Sequence, residues 1–182
     1  MFRKIFYTLL IVLLGLVAVL LFNTFRFKTS AAARQAMKIT GISDSAALHL
    51  SEALQIKTIS FGDTLAIDTA EFVQFRAFLE KTYPLVHSQL SRMIFSEFSY
   101  VFTWKGKDST LAPHVLMAHM DVVPVEAVAE SKWQQPSFSG KIIADTIWGR
   151  GAVDDKASVI GIFEAAEQLL KENYQPQRTI YL

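Results

Sequence analysis

His119 and Asp121 stand two apart in Leu116-Met117-Ala118-His119-Met120-Asp121-Val122-Val123-Pro124. In an extended chain, residues two apart point to one side, so this imidazole and carboxylate share a face where Pro124 interrupts any hydrogen-bonded ladder. Such a pair can serve a metal. A neutral imidazole binds zinc through one nitrogen while the other donates to a carboxylate, which fixes the ring and raises its basicity. The same pair can equally be a satisfied hydrogen bond at a strand end. A second acidic site follows in Trp148-Gly149-Arg150-Gly151-Ala152-Val153-Asp154-Asp155-Lys156, where a turn with two glycines delivers adjacent carboxylates to the start of a helix. Two acids there are favoured by the helix N-terminus and often act only as caps. Gly149-x-Gly151 begins a dinucleotide fingerprint, but Asp154 occupies the place of the third glycine, and no phosphate-cradling lysine motif is present.

These residues need a scaffold. The apolar run Val115 to Met120 predicts a strand with both faces covered, carrying His119 at its end. Phe98, Tyr100, Phe102 and Trp104 alternate with smaller residues and predict another strand, with a turn at Lys105 to Asp108. Helices are predicted over Asp44 to Ile56, with a cap and an apolar face at Ala47, Leu50 and Leu54, and over Thr69 to Tyr83. The second has Phe72, Phe75 and Leu79 on one face, a reciprocal capping pair in Asp68 and Glu71, and Pro84 to end it. A third helix, Lys156 to Asn173, places Val159, Ile162, Phe163, Ala166 and Leu170 on one stripe, and Thr179 to Leu182 begins a last strand. The turn-rich stretch Trp133-x-x-Pro136-x-Phe138-x-Gly140 reads as a loop packed on the sheet, and His49 and His87, without a partner at ligand spacing, read as structural. Alternation of strands and helices gives the fold class: α/β, a mixed sheet layered by helices.

Composition narrows the function. The chain has 182 residues, no cysteine and a formal net charge of +1. Six bases and no acid fall within the first 40 residues, so the remainder has a net charge of −5. A mildly acidic body lacks the clustered Lys and Arg that nucleic acid requires. Without cysteine there is no disulfide framework, thiolate metal site or cysteine nucleophile. Ile5 to Phe22 is an uncharged run of 18 residues flanked by Arg3-Lys4 and by Arg26 and Lys28. At about 1.5 Å per residue it can cross a bilayer. One N-terminal transmembrane helix is the expectation, with a cleaved signal peptide ending near Ala31-x-Ala33 as the alternative. The organisation read from the sequence is an anchor at 1–24, a small polar linker at 25–41 and a folded domain at 42–182.

Three segments in order, His119-Met120-Asp121-Val122-Val123-Pro124, Trp133 with Pro136-Ser137-Phe138-Ser139-Gly140, and Trp148-Gly149-Arg150-Gly151 with Asp154-Asp155-Lys156, give a further reading. Together they resemble the zinc metallopeptidase family that includes carboxypeptidase S, aminoacylase, acetylornithine deacetylase and succinyl-diaminopimelate desuccinylase. The likeness extends over residues 42 to 182 and is greatest to the branch of carboxypeptidase S and the enzyme that joins and splits fatty acids and amino acids. The resemblance implies a zinc-dependent exopeptidase-like catalytic domain, with two Zn2+ ions in a complete site. It makes His119 a ligand of one zinc and Asp154 a bridge between both. Asp121 is the catalytic residue that orients His119, and Asp155 stands beside the bridge, joined to it by a cis peptide. Thr146 stands where the family commonly has Gly, which predicts a local change of turn.

The family takes its remaining ligands and its general base from positions beyond Leu182, so the resemblance implies an incomplete N-terminal part of the domain, inactive by itself. For the whole enzyme it implies hydrolysis of an amide next to a free carboxylate, in a peptide or an N-acyl amino acid substrate. The alternative is a membrane-tethered, non-catalytic binding or regulatory module derived from such an enzyme. Counted alone, the flanking charges favour a cytosolic body. Vacuolar and secreted relatives imply an extracytoplasmic body on a single-pass anchor, which is the expectation adopted. Oligomeric state is not legible.

Overall fold

The computed structural model describes residues 1–26, 44–61 and 68–182. The chain divides into two compact units, Met1–Gly41 and Ile42–Leu182. In the first, α1 (Phe2–Arg26) runs past the expected end of the anchor at residue 24, and none of its residues is buried. The hydroxyls of Thr8 and Thr24 donate to the carbonyls of Lys4 and Leu20, 3.0 and 2.8 Å away, so these polar groups are satisfied within the helix. By length and composition α1 can cross a membrane, a test that a signal sequence also meets. The expected linker beyond Arg26 lies outside the described residues.

The second unit sets helices against a four-stranded mixed sheet. Its helices are α2 (Asp44–Gln55), α3 (Thr69–Thr82), α4 (Pro84–Gln89), the short α5 (Ala127–Glu130) and α6 (Lys156–Lys171). The sheet has the order β1 (Ser91–Phe95), β2 (Ser99–Trp104), β6 (Ile180–Tyr181), β3 (His114–Val115), and β4 (Ile142–Ile143) with β5 (Thr146–Ile147) forms a separate hairpin. Strand β6 pairs antiparallel with β2 and parallel with β3, so the last strand of the chain is the one that joins the two others in register.

Sequence pattern explains most of this. Phe102 and Trp104 of β2 point into the core as the alternation requires, and α6 presents Val159, Phe163, Ala166 and Leu170 to the same core, all 8% exposed or less. Burying a side chain such as Phe163 contributes about 1.5–3 kcal/mol, so this one stripe largely secures α6. Helix α6 ends at Lys171, short of the expected Asn173, because Asn173 takes a left-handed φ of 55° that closes the last turn. Asp68 caps α3 by accepting from the Ala70 amide at 3.1 Å, but the reciprocal half of the expected box does not form: Glu71 instead accepts from the Lys57 amide at 2.8 Å. Pro84 ends α3 and also opens α4, where a missing N–H costs nothing. The cap expected at the start of α2 falls on the Asp44 side chain, outside the described residues.

Two expectations need correction. The strand expected over Val115 to Met120 is regular only at His114–Val115, continued by the Leu116 amide donating to Tyr181 at 2.9 Å. It lies at the sheet edge with Val115 and Met117 58% and 84% exposed, so its faces are not covered. The stretch from Trp133 to Gly140 packs on α2 instead of the sheet. Ser51 donates to the Gly140 carbonyl at 2.5 Å, and a side chain on Gly140, whose φ is 60°, would meet the Ser51 carbonyl at 2.1 Å. His49, read as structural, has its partner far along the chain: its Nδ1 meets Glu164 on α6, which also accepts from the buried Tyr83 hydroxyl at 2.9 Å. Burial, with help from Glu164, pushes the Tyr83 pKa above its ordinary value.

Candidate metal centre

Two arms carry the site. The first leaves β3 as extended chain and brings His119 and Asp121 to one side, as their spacing requires. His119 Nδ1 lies 3.1 Å from Asp121 Oδ1 and 3.0 Å from the Asp121 carbonyl. The second is the turn from Trp148 to Asp155 that leads into α6. Gly151 has a φ of 85°, and a side chain there would meet Val122 Cγ1 at 2.5 Å, so only glycine lets this turn approach the first arm so closely. The loop before it steadies the turn: the Arg150 amide donates to the Ser137 carbonyl at 2.6 Å, and the Arg150 guanidinium lies 5.4 Å from the Trp133 ring centre.

The arms meet at His119 Nε2 and Asp154 Oδ1, 3.0 Å apart. Asp121 and Asp154 therefore flank the two nitrogens of one imidazole. Partial burial works against a charged ring, but the bond to Asp154 and the contacts with Asp121 outweigh it and hold the His119 pKa above its ordinary value. If Nδ1 carries a proton toward Asp121, Nε2 and the Asp154 oxygen face each other as two acceptors. That contact requires a cation between them, either a second ring proton or a metal ion.

The donor set fits zinc. One imidazole nitrogen and one carboxylate oxygen are ordinary zinc ligands at about 2.0–2.2 Å, and donors 3.0 Å apart can share an ion at those lengths. Asp154 is 89% exposed, so its remaining lone pairs are open to a further ligand. Among the described residues, no group of three or more His, Cys, Asp or Glu side chains gathers as a metal site. Asp155 occupies the N-cap position of α6 but makes no side-chain capping bond, so the capping role weighed for this pair is not what its carboxylate does. The peptide between Asp154 and Asp155 is cis, as the resemblance implied. Thr146 opens β5 after a turn at Ala144, whose φ is 50°. A cavity of about 350 Å3 adjoins His119 and Asp121, walled by Phe98, Tyr100, Phe102 and Phe163.

The sequence reading gave no role to two buried residues around the site, Thr58 and Lys156, both 0% exposed. Lys156 gave a usable signal. It stands three and seven residues before Val159 and Phe163, on the apolar stripe of α6, where a charge must find a partner.

Residues 115–182 match the model of peptidase family M20/M25/M40. A probable carboxypeptidase S-like 2 of Dictyostelium discoideum is 40% identical over 178 residues, covering 93% of this chain and 34% of that protein. The mouse N-fatty-acyl-amino acid synthase/hydrolase PM20D1 is 41% identical over 135 residues, 73% of this chain and 26% of that one. The chain thus spans about a third of the length of these relatives or less. Among solved structures, an M20 family metallo-carboxypeptidase from Sulfolobus solfataricus shares the mixed α/β fold, with a TM-score of 0.55 at 23% identity over 77% of this chain and 30% of its own. With its three motifs, its fold and these relatives in agreement, the chain belongs to peptidase family M20/M25/M40, on the side of carboxypeptidase S and the N-fatty-acyl-amino acid synthase/hydrolases.

Proposed function

We propose that this chain supplies one part of a dinuclear zinc centre in a membrane-tethered hydrolase that cleaves an amide next to a free carboxylate. The observation that carries the reading is the 3.0 Å approach of His119 Nε2 to Asp154 Oδ1, with Asp121 on the far nitrogen of the same ring. The relatives' names, a carboxypeptidase and an N-fatty-acyl-amino acid synthase/hydrolase, share one substrate feature, an acyl group on the nitrogen of an amino acid.

In this reading His119 through Nε2 and Asp154 through its carboxylate would hold zinc, and Asp121 would keep the ring in the tautomer that leaves Nε2 free. Zinc held there would supply Lewis acidity toward a scissile carbonyl and lower the pKa of a bound water toward neutrality. Because His119 must lose its Nε2 proton to ligate, and because both flanking carboxylates favour that proton, metal and proton compete at one atom. Helix α1 is the tether, with the body extracytoplasmic.

Metal analysis of the purified full-length protein tests the site, and assay on N-acyl amino acids and on peptides with a free C-terminus tests its chemistry. Zinc should bind saturably and be lost with His119→Ala or Asp154→Ala. Full occupancy in both variants would remove the ligand assignment. Bound metal with no amide hydrolysis by the full-length protein would leave the binding-module reading instead. Protection of the body from protease in sealed membranes tests its placement.

A further inference from the structure

The two arms of the site come from residues 35 apart in the chain, yet one short segment holds both. This segment, residues 53–60, is the end of α2 and the chain that follows. Toward the first arm, the Thr58 hydroxyl donates to the Met120 carbonyl at 2.5 Å, the peptide oxygen between His119 and Asp121. The Val122 amide donates to Thr58 at 2.9 Å and the Ser60 amide to Val122 at 3.0 Å, so the segment lies alongside the His119 arm as a parallel bridge. Toward the second arm, Lys156, two residues beyond Asp154, sends its ammonium into the end of α2, donating to the carbonyls of Ala53 at 2.9 Å and Ile56 at 2.5 Å. A cation at a helix C-terminus meets the negative end of its dipole, and the Phe75 ring lies 4.9 Å from the nitrogen.

We infer that Thr58 and Lys156 are positioning residues that set the separation of His119 and Asp154 by fastening both arms to residues 53–60. The inference rests on the metal-site reading above. The side-chain hydrogen bonds of both residues go to backbone carbonyls and not to His119 or Asp154. Each is wholly buried, and each spends its polar atoms on backbone carbonyls of another segment. A buried ammonium is costly to retain where an apolar side chain could fill the same stripe. A fixed distance between two ligands is a physical return for that cost, because an ion senses displacements of a few tenths of an ångström that a hydrophobic core absorbs. Outer groups that orient ligands commonly change metal affinity by about 10–100-fold when removed.

The test is zinc affinity of the full-length protein in detergent micelles, by competition with a chromophoric chelator, together with the visible spectrum of bound Co2+. Thr58→Val keeps the shape and removes the donor, Thr58→Ser keeps the donor, and Lys156→Met keeps the length without the charge. Leu170→Ala, at the far end of α6, serves as a destabilised control. Thr58→Val and Lys156→Met should weaken zinc binding about tenfold or more and alter the Co2+ bands. Thr58→Ser should stay within about threefold of the unaltered chain and keep its spectrum, and Leu170→Ala should do the same despite a lower Tm. Folded Thr58→Val with unaltered affinity overturns the inference, as does an equal loss in Leu170→Ala. Should Lys156→Met fail to fold, the Val and Ser pair at position 58 decides alone. Indifference of zinc binding to His119→Ala would instead overturn the ligand reading, and the positioning inference with it.

Discussion

Gly151→Ala is the sharpest probe of how the two arms meet. The glycine has a φ of 85°, and an added Cβ would lie 2.5 Å from Val122 Cγ1, well inside van der Waals contact. Val122 is 2% exposed and follows Asp121, so it cannot swing aside without moving the first arm. The left-handed backbone costs about 1–2 kcal/mol and the overpacking roughly 1–3, which gives about 2–5 kcal/mol of lost stability. At about 2–4 °C per kcal/mol for a chain of this size, Tm falls by roughly 4–20 °C. A double-mutant cycle separates the causes. Val122→Ala alone leaves a cavity and costs about 2 kcal/mol, but beside Gly151→Ala it makes room for the new methyl. The double variant should therefore be more stable than the sum of the singles by about 1–3 kcal/mol, while the backbone cost persists. Denaturant unfolding of the four proteins in micelles reads this directly. Additivity within about 0.5 kcal/mol would refute the steric contact, and a Gly151→Ala protein as stable as the parent would refute the backbone argument as well.

Other perturbations address the helix layer. Glu167, 4% exposed, accepts from the Leu85 and Val86 amides at 3.0 Å and so closes the N-terminus of α4. Glu167→Ala leaves two buried donors unpaired and should cost about 2–4 kcal/mol by denaturant unfolding, whereas Glu167→Gln keeps an acceptor and should cost less than half as much. Tyr83→Phe should lower stability by about 1–2 kcal/mol, because it removes the bond to Glu164 from a buried site, and the ring packing on Phe163 should persist in the near-ultraviolet circular dichroism. For pH, Arg92 bonds Glu80 at 2.5 Å and lowers its pKa. A depressed carboxyl pKa contributes stability above its unfolded value that is lost as pH falls through the folded one, so Arg92→Gln should weaken this acid-side dependence. In a carboxyl 13C titration, Glu80 should then move up toward its ordinary value, and an unchanged midpoint would discount the ion pair.

What the sequence made legible is what depends on neighbours in the chain. The alternation in β2, the stripe of α6 and the two-residue spacing of His119 and Asp121 are periodic signals carried by nearby positions in the chain, and the structure realises each. Strand β1 escaped because every residue in Ser91–Phe95 is exposed, so burial leaves no alternation to read. The β4–β5 hairpin escaped because its turn relies on a positive φ at Ala144, a residue that does not announce one. The length of β3 was overestimated because an apolar run reads as a covered strand whether or not a neighbour lies alongside.

Contacts across the chain were hidden for a different reason. His49 finds Glu164 115 residues away, Lys156 reaches Ala53 across 103, and Thr58 reaches Met120 across 62. Spacing cannot identify such partners. It can still reveal that one is needed, because Lys156 and Glu167 both fall on the buried stripe of α6, where an ionisable group without a partner would be expelled or neutralised. In α6 those two charges tie the helix to the end of α2 and to the start of α4. The apolar stripe gives α6 its adhesion, and the charged exceptions within it fix where along its neighbours the helix comes to rest. That placement determines where Asp154, just ahead of the helix, meets His119.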